Sequence, residues 1–173
     1  MVIWIIGLSG SGKSTLANEV VARANKLNNN TVLLDGDFIR EMFDNDLGYS
    51  MSDRKKNAMR ICKLGKFLSD QGMNVVTAIL SLFPESRAWN RTNLDNYYEV
   101  FIDCPLEILI KRDSKGLYKK FQRGEITDVA GMDIYFDKPK NSDLVINNID
   151  SKDALLNSAQ PILEKMLITN DEL

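Results

Sequence analysis

The stretch Gly7-Leu-Ser-Gly-Ser-Gly-Lys-Ser14 fits G-x-x-x-x-G-K-[ST] and constrains this chain more than any other part of it. It follows Val2-Ile-Trp-Ile-Ile6, a short apolar run rich in β-branched residues and free of charge, which reads as a buried strand. Gly7, Gly10 and Gly12 let the backbone turn tightly and bring successive N–H groups round an anion. From Lys13 to Ala22, Leu16, Val20 and Val21 keep a helical spacing, so a helix N-terminus aims positive partial charge at the same anion. Strand, glycine loop and helix in this order predict nucleoside triphosphate binding by Gly7, Ser9, Gly10, Ser11, Gly12, Lys13, Ser14 and Thr15. Lys13 would reach the β- and γ-phosphates, and the Ser14 hydroxyl would hold Mg²⁺. The four fixed positions co-occur by chance in under roughly 1% of chains this long, so an accidental Gly/Ser turn is the weaker reading.

A length of 173 residues predicts one domain, 1–173, able to bury a core without staples. With 22 basic against 24 acidic residues, the net charge of −2 gives no general electrostatic reason to bind a nucleic acid polymer. The apolar runs are strand-length, short of the roughly 20 residues a membrane span needs. Residues 1–6 lack a basic n-region and cleavage site, so the expected location is the cytoplasm. Cys62 and Cys104 read as buried thiols rather than a disulfide. The chain has no histidine, which excludes imidazole bases, Ser-His and Cys-His dyads and His-containing metal sites. Acid–base work falls to Asp, Glu, Lys or Tyr.

Strands and helices alternate along the chain, predicting an α/β fold with a parallel sheet flanked by helices. After an asparagine turn at residues 28–30, Thr31-Val-Leu-Leu34 is a second strand that ends in Asp35-Gly-Asp37. Carboxylates at the carboxyl end of a parallel strand stand at the mouth of the ligand crevice. Asp37 would accept a proton from an attacking hydroxyl and Asp35 would support the Mg²⁺ shell. The alternative is that Asp-Gly-Asp caps a helix beginning near Phe38. Residues 41–53 read as a loop, followed by a helix from Arg54 to Asp70 with Met59, Cys62, Leu64, Phe67 and Leu68 toward the core. Arg54, Asn57 and Arg60 share one edge of that helix, suiting an anionic ligand, although spacing alone favours a solvated basic face.

Further strands are predicted at Met73–Leu80, Tyr97–Ile102 and Asp143–Asn147, with short helices at Glu85–Asn93 and Leu106–Lys111. Pro105 is expected as the first residue of the latter. Arg112 to Glu125 carries five basic residues, two glycines and no strong core periodicity. It reads as a lid closing over nucleotide, with a solvated surface helix as the alternative. Residues 126–141 are irregular, and 151–167 form an amphipathic helix in which Pro161 marks a kink or restart.

Taken together, Gly7-Leu-Ser-Gly-Ser-Gly-Lys-Ser-Thr-Leu-Ala17, Leu34-Asp-Gly-Asp37, Asp46-Leu-Gly48, Asp53-Arg54, Asn57, Arg60 and Arg112-Asp-x-Lys-Gly-Leu-Tyr-Lys-Lys120 resemble adenylylsulfate kinases, collinearly from Ile3 to about Leu144. The resemblance implies a three-layer P-loop kinase fold with a five-stranded parallel sheet and a basic lid over about 112–131. It implies transfer of the ATP γ-phosphoryl group to the ribose 3′-hydroxyl of a nucleotide whose 5′-phosphate carries sulfate. By matching position, Lys13, Ser14 and Arg112 serve ATP and Mg²⁺, with Asp35 beside the metal, and Asp37 lies by the acceptor hydroxyl. Arg40, Arg54 and Asn57 would hold the acceptor's phosphate and sugar, and Tyr49 would stack on its base. The main chain at Leu80 and Ser81 and the lid residues Lys115, Gly116, Leu117, Lys119 and Lys120 would complete the site. ATP and a small nucleotide acceptor are the implied partners, together with a possible homodimer.

The departures from the family are specific. Its Asp-Gly-Asp-Asn has Phe38 in the last place, its Ile-Ser-Pro reads Leu80-Ser81-Leu82, and its Phe-Thr-Gly-Ile reads Val129-Ala130-Gly131-Met132. The N-terminal extension usual before the first strand is absent. Loss of the Phe wall removes a stacking contact of about 1–3 kcal/mol. The ATP half of the pattern is therefore intact, while the half that holds the acceptor base, at Phe38 and Val129, is rewritten. A branch of the family in capsule pathways phosphorylates cytidine diphosphoramidate, and a smaller pyrimidine held by Tyr49 on one side suits Val129. That acceptor is the leading expectation, adenylylsulfate the alternative, and a nucleotide-dependent binding switch without an acceptor the second alternative.

Overall fold

The computed structural model describes residues 1–27 and 29–168; Asn28 of the expected asparagine turn and residues 169–173 of the expected 1–173 unit lie outside the described residues. Strands β1 (Val2–Ile6), β2 (Thr31–Asp35), β3 (Asn74–Ile79), β4 (Tyr97–Asp103) and β5 (Leu144–Asn147) make one parallel sheet in the order β2-β3-β1-β4-β5. β1 is central, pairing Val2 with Val75 on one side and Tyr97 on the other. Its side chains alternate between two apolar layers, and all five residues are fully buried, which is why the run carries no charge.

Ile3 and Ile5 face one layer, built with Leu16, Ala17 and Val20 of α1 (Lys13–Lys26), Leu155 of α7 (Lys152–Asn157) and Ile162 and Met166 of α8 (Ala159–Ile168). Val2, Trp4 and Ile6 face the other, built with Ile39 of α2 (Gly36–Met42), Ile61 and Cys62 of α3 (Met51–Asp70) and Trp89 of α4 (Pro84–Asn93). This is the three-layer α/β fold that the alternating pattern predicts. From β1 the chain runs to β2 at one edge, and from β3 it crosses to β4 on the far side of β1. The crevice therefore opens at the carboxyl ends of β1 and β3.

Four expectations are corrected. The helix α3 begins at Met51 rather than Arg54, because Ser50 Oγ accepts the Asp53 N–H and caps it early. Phe67 is 61% exposed, since the turn that buries Ile61, Cys62 and Gly65 carries it to the solvent side. Pro105 is the N-cap of α5 (Leu106–Arg112) and not its first residue. The basic segment does have an apolar anchor: Tyr118 of α6 (Leu117–Gln122) is 1% exposed and packs with Leu109, Cys104 and Val129 in a third cluster. The closing helix divides at Ser158 and restarts as α8, with Pro161 in its first turn where a missing N–H costs no bond. Both cysteines are free and buried. Among the described residues, no helix is long and apolar enough to cross a membrane.

The turn out of β1 leaves no room for a side chain at its first residue. A Cβ on Gly7 would lie 2.4 Å from Ser11 Oγ and 2.9 Å from the Ile102 carbonyl oxygen. We expect Gly7→Ala to lower unfolding free energy by about 1–3 kcal/mol in urea titration, as overpacking does. An unchanged midpoint would show that the loop can relax away from β4.

Candidate active site

The loop between β1 and α1 closes on itself. Ser11 N–H donates to the Leu8 carbonyl (3.2 Å), and Gly10 and Gly12 take φ values of 76° and 98°, the left-handed region that glycine tolerates. Lys13 Nζ donates to the same Leu8 carbonyl at 2.8 Å, so its ammonium lies along the rim of the cradle. From the first turn of α1, Ser14 Oγ donates to Asp35 Oδ2 at 2.6 Å, and Asp35 Oδ1 accepts the Asp37 N–H at 2.9 Å. Asp35 thus caps α2 with one oxygen and holds the loop's serine with the other. The cap leaves the Asp37 carboxylate free of α2 and at the cleft mouth, ion-paired with Lys115 of the basic segment.

The cleft has a volume of about 930 Å³, at the upper end for ligand sites. Lys13, Ser14, Asp35, Asp37, Arg112 and Lys115 line it on the cradle side. Arg40, Tyr49, Arg54, Asn57, Leu80 and Val129 line it farther along, together with Ser81, Leu117 and Lys120. Arg40 and Arg54 hold their guanidinium carbons 4.8 and 5.4 Å from the Tyr49 ring centroid, fixing the ring proposed to meet a base. Arg40 Nη1 also donates to the Leu47 and Gly48 carbonyls. Asn57 is buried and its Oδ1 has no partner, an acceptor waiting for a donor such as a sugar hydroxyl. Ser81 sits at φ 53°, held by Trp4 Nε1 donating to its Oγ (3.3 Å) and Arg87 Nη1 donating to its carbonyl (2.8 Å). A strained non-glycine residue at a strand end is a frequent mark of a ligand site.

Several expected residues fall elsewhere. Phe38 is 58% exposed and does not line the cleft; helical geometry turns it away from Asp37. Gly116 and Lys119 also lie off the cleft wall, because Asp113 accepts the Tyr118 and Lys119 N–H groups and turns that stretch over the Tyr118 anchor. Gly7 and Ser11 lie beneath the cradle rather than on its surface. Arg60 leaves the shared edge for a two-point bond to Asp46, at 2.9 and 2.6 Å, and stands 4.1 Å over Phe43. Val129 lines the cleft but is 2% exposed, with most of its surface in the third apolar cluster. Sequence reasoning missed Asn148, whose Nδ2 donates to the Ser11 carbonyl at 2.8 Å, and Asp150, whose carbonyl accepts from Arg112 at 3.3 Å. The available signal was their position just after the last strand, at the mouth end of the sheet.

Residues 1–147 match the model of the family described as adenylylsulphate kinase. The chain belongs to the adenylylsulfate kinase family. It is 41% identical over 167 residues to the cytidine diphosphoramidate kinase of Campylobacter jejuni subsp. jejuni serotype O:2, covering 96% of each chain. It is 43% identical over 150 residues to a probable adenylyl-sulfate kinase of Halalkalibacterium halodurans, covering 86% of this chain and 72% of that one. Its fold superposes on the Mycobacterium tuberculosis APS kinase solved with AMPPNP and APS, with TM-score 0.87, 36% identity and coverage of 95% and 96%. As a member of this adenylylsulfate kinase family, the chain is a nucleotide-binding phosphotransferase acting on an alcohol group.

Electrostatics at the cradle of this family member carry a pH signature. Burial, then the nearby Lys115 charge, lower the Lys13 ammonium to about 8, against the opposing pull of Asp37 and Asp35. Lys13 is therefore partly neutral at pH 8, and a bound triphosphate, favouring the charged form, draws a proton back. We expect AMPPNP binding near pH 8 to take up protons, seen calorimetrically as heat that varies with buffer ionisation enthalpy. Lys13→Met should abolish the uptake. Uptake of equal size in that variant would assign the proton to another group.

Proposed function

We propose that this chain transfers the γ-phosphoryl group of ATP to the ribose 3′-hydroxyl of cytidine diphosphoramidate, a nucleotide with a modified 5′-phosphate. The observation that carries the reading is the Asp37 carboxylate, exposed at the end of β2 and facing the same cleft as the glycine cradle. An acceptor hydroxyl and a triphosphate would meet between the two. The Campylobacter jejuni relative and the small Val129 side chain support cytidine as the base. Adenylylsulfate is the second reading, supported by the Halalkalibacterium halodurans relative and by the likeness to the APS-bound Mycobacterium tuberculosis enzyme.

Phosphoryl transfer asks for positioning and charge neutralisation more than for protein nucleophiles. The bond from the acceptor 3′-oxygen to the γ-phosphorus forms as the bond from that phosphorus to the departing ADP oxygen breaks. The hydroxyl proton passes to Asp37. Lys13, Arg112, Lys115 and Lys120 line the cleft and would surround the phosphates with positive charge. The Ser14 hydroxyl and Asp35 carboxylate are adjacent hard oxygen donors, a set that suits Mg²⁺, which takes few protein ligands and keeps several waters. These two residues would hold the ion, which when bound neutralises phosphate charge. Residues 1–173 act as one kinase unit in the cytoplasm, with 112–131 as its lid.

A coupled ADP-release assay tests the proposal. Turnover should depend on acceptor and favour cytidine diphosphoramidate over adenylylsulfate, and Asp37→Asn should cut kcat by about 10²-fold or more while the melting temperature holds. A preference for adenylylsulfate would overturn the cytidine assignment, ADP formation indifferent to acceptor would indicate a nucleotide-dependent switch, and full activity in Asp37→Asn would remove the base.

A further inference from the structure

We infer that Arg54 acts as a strut that sets the width of the acceptor-base pocket, and that Asp133 anchors its far end; the inference rests on the acceptor class proposed above. Arg54 and Asp133 are then positioning residues that determine base selectivity, beyond any contact Arg54 makes with the acceptor's phosphate.

The pocket's two walls come from distant parts of the chain. Tyr49 belongs to the turn before α3, and Val129 to the irregular segment after α6. One side chain joins them. Arg54 Nε donates to the Tyr49 carbonyl at 2.7 Å, and its Nη2 donates to the Asp128 carbonyl at 2.7 Å. A guanidinium is planar and rigid, so two bonds from one fork fix the separation of the two carbonyls. The far end is itself held. Asp128 takes φ 63°, unfavourable for a residue with a side chain, and the Asp133 carboxylate stabilises the turn by accepting the N–H groups of Asp128 (2.8 Å) and Val129 (2.6 Å). Val129 cannot swing inward to adjust the gap, because it is packed against Leu109 and Tyr118. The Tyr49 ring, although 59% exposed, has the Arg40 and Arg54 guanidinium groups against it. The distance between the walls is therefore a built dimension rather than one adapted to whichever base arrives, and a one-ring base and a two-ring base cannot both be matched to it.

The experiment is calorimetric titration of the full chain, held at saturating AMPPNP, with cytidine diphosphoramidate and with adenylylsulfate. Arg54→Lys keeps the charge but offers no fork, and Asp133→Ala releases the Asp128–Val129 turn from the other side. We expect each variant to move the ratio of the two dissociation constants toward one by roughly tenfold, about the size of one base-stacking contact, while AMPPNP affinity and melting temperature stay near wild type. A ratio unchanged in either variant overturns the strut, and equal weakening toward both acceptors in Arg54→Lys would identify a phosphate ligand only. Wild-type preference for adenylylsulfate with a ratio that still collapses in both variants would overturn the cytidine assignment and keep the strut. Wild-type protein that binds neither nucleotide ends both.

Discussion

The hydrogen bond from Ser14 Oγ to Asp35 Oδ2, at 2.6 Å, ties the first turn of α1 to the end of β2. It joins the two halves of the cleft, since the cradle precedes Ser14 and Asp37 follows Asp35 by two residues. The sheet order makes such a bond available, because β2 and β1 are separated by β3 alone and their carboxyl ends open on one crevice. Asp35 uses its second oxygen on the Asp37 N–H, so one carboxylate holds both the loop's serine and the start of α2. Lys115 then closes the circuit from the basic segment onto Asp37, and that hydrogen bond holds the Lys115 ammonium above its usual range although partial burial opposes it.

Local chemistry made the ATP end readable from the amino-acid sequence. The run Val2–Ile6 is buried on both faces, so its apolarity is continuous, and the glycines at positions 10 and 12 answer a local need, a left-handed backbone in a tight turn. Asp35 and Asp37 could be named because a strand end has a fixed place in an α/β sheet. The residues that escaped notice depend on partners far along the chain. Asn148 reaches the Ser11 carbonyl across 137 positions, and Tyr118 Oη reaches the Ser9 carbonyl across 109. No periodicity in residues 112–125 announces that Tyr118 is a core residue, because its partners come from α5 and from Val129. Arg60 had the spacing of a ligand, yet Asp46 and Phe43 claim it, a competition visible only once the intervening turn is folded.

At the acceptor end, resemblance was informative and incomplete. It identified Tyr49, Arg54, Asn57 and the Val129 position, all of which line the cleft. It also assigned Phe38, Gly116 and Lys119, which the geometry of α2 and the Asp113 cap turn elsewhere. The small side chain at Val129 does more than open space, for it belongs to the apolar cluster around Tyr118 and so couples the cleft lining to the basic segment. A family that shares one phosphoryl-transfer geometry can thus change its acceptor by altering what stands at the rim, with the cradle and the strand-end carboxylates left alone.

A crystal structure of the complex with AMPPNP and cytidine diphosphoramidate tests the central claim most directly. The account predicts the acceptor 3′-oxygen within about 3 Å of the Asp37 carboxylate and roughly 3–3.5 Å from the γ-phosphorus, in line with the bridging oxygen. An acceptor bound with its 3′-hydroxyl remote from Asp37, or a triphosphate whose terminal phosphate points away from that carboxylate, would contradict it.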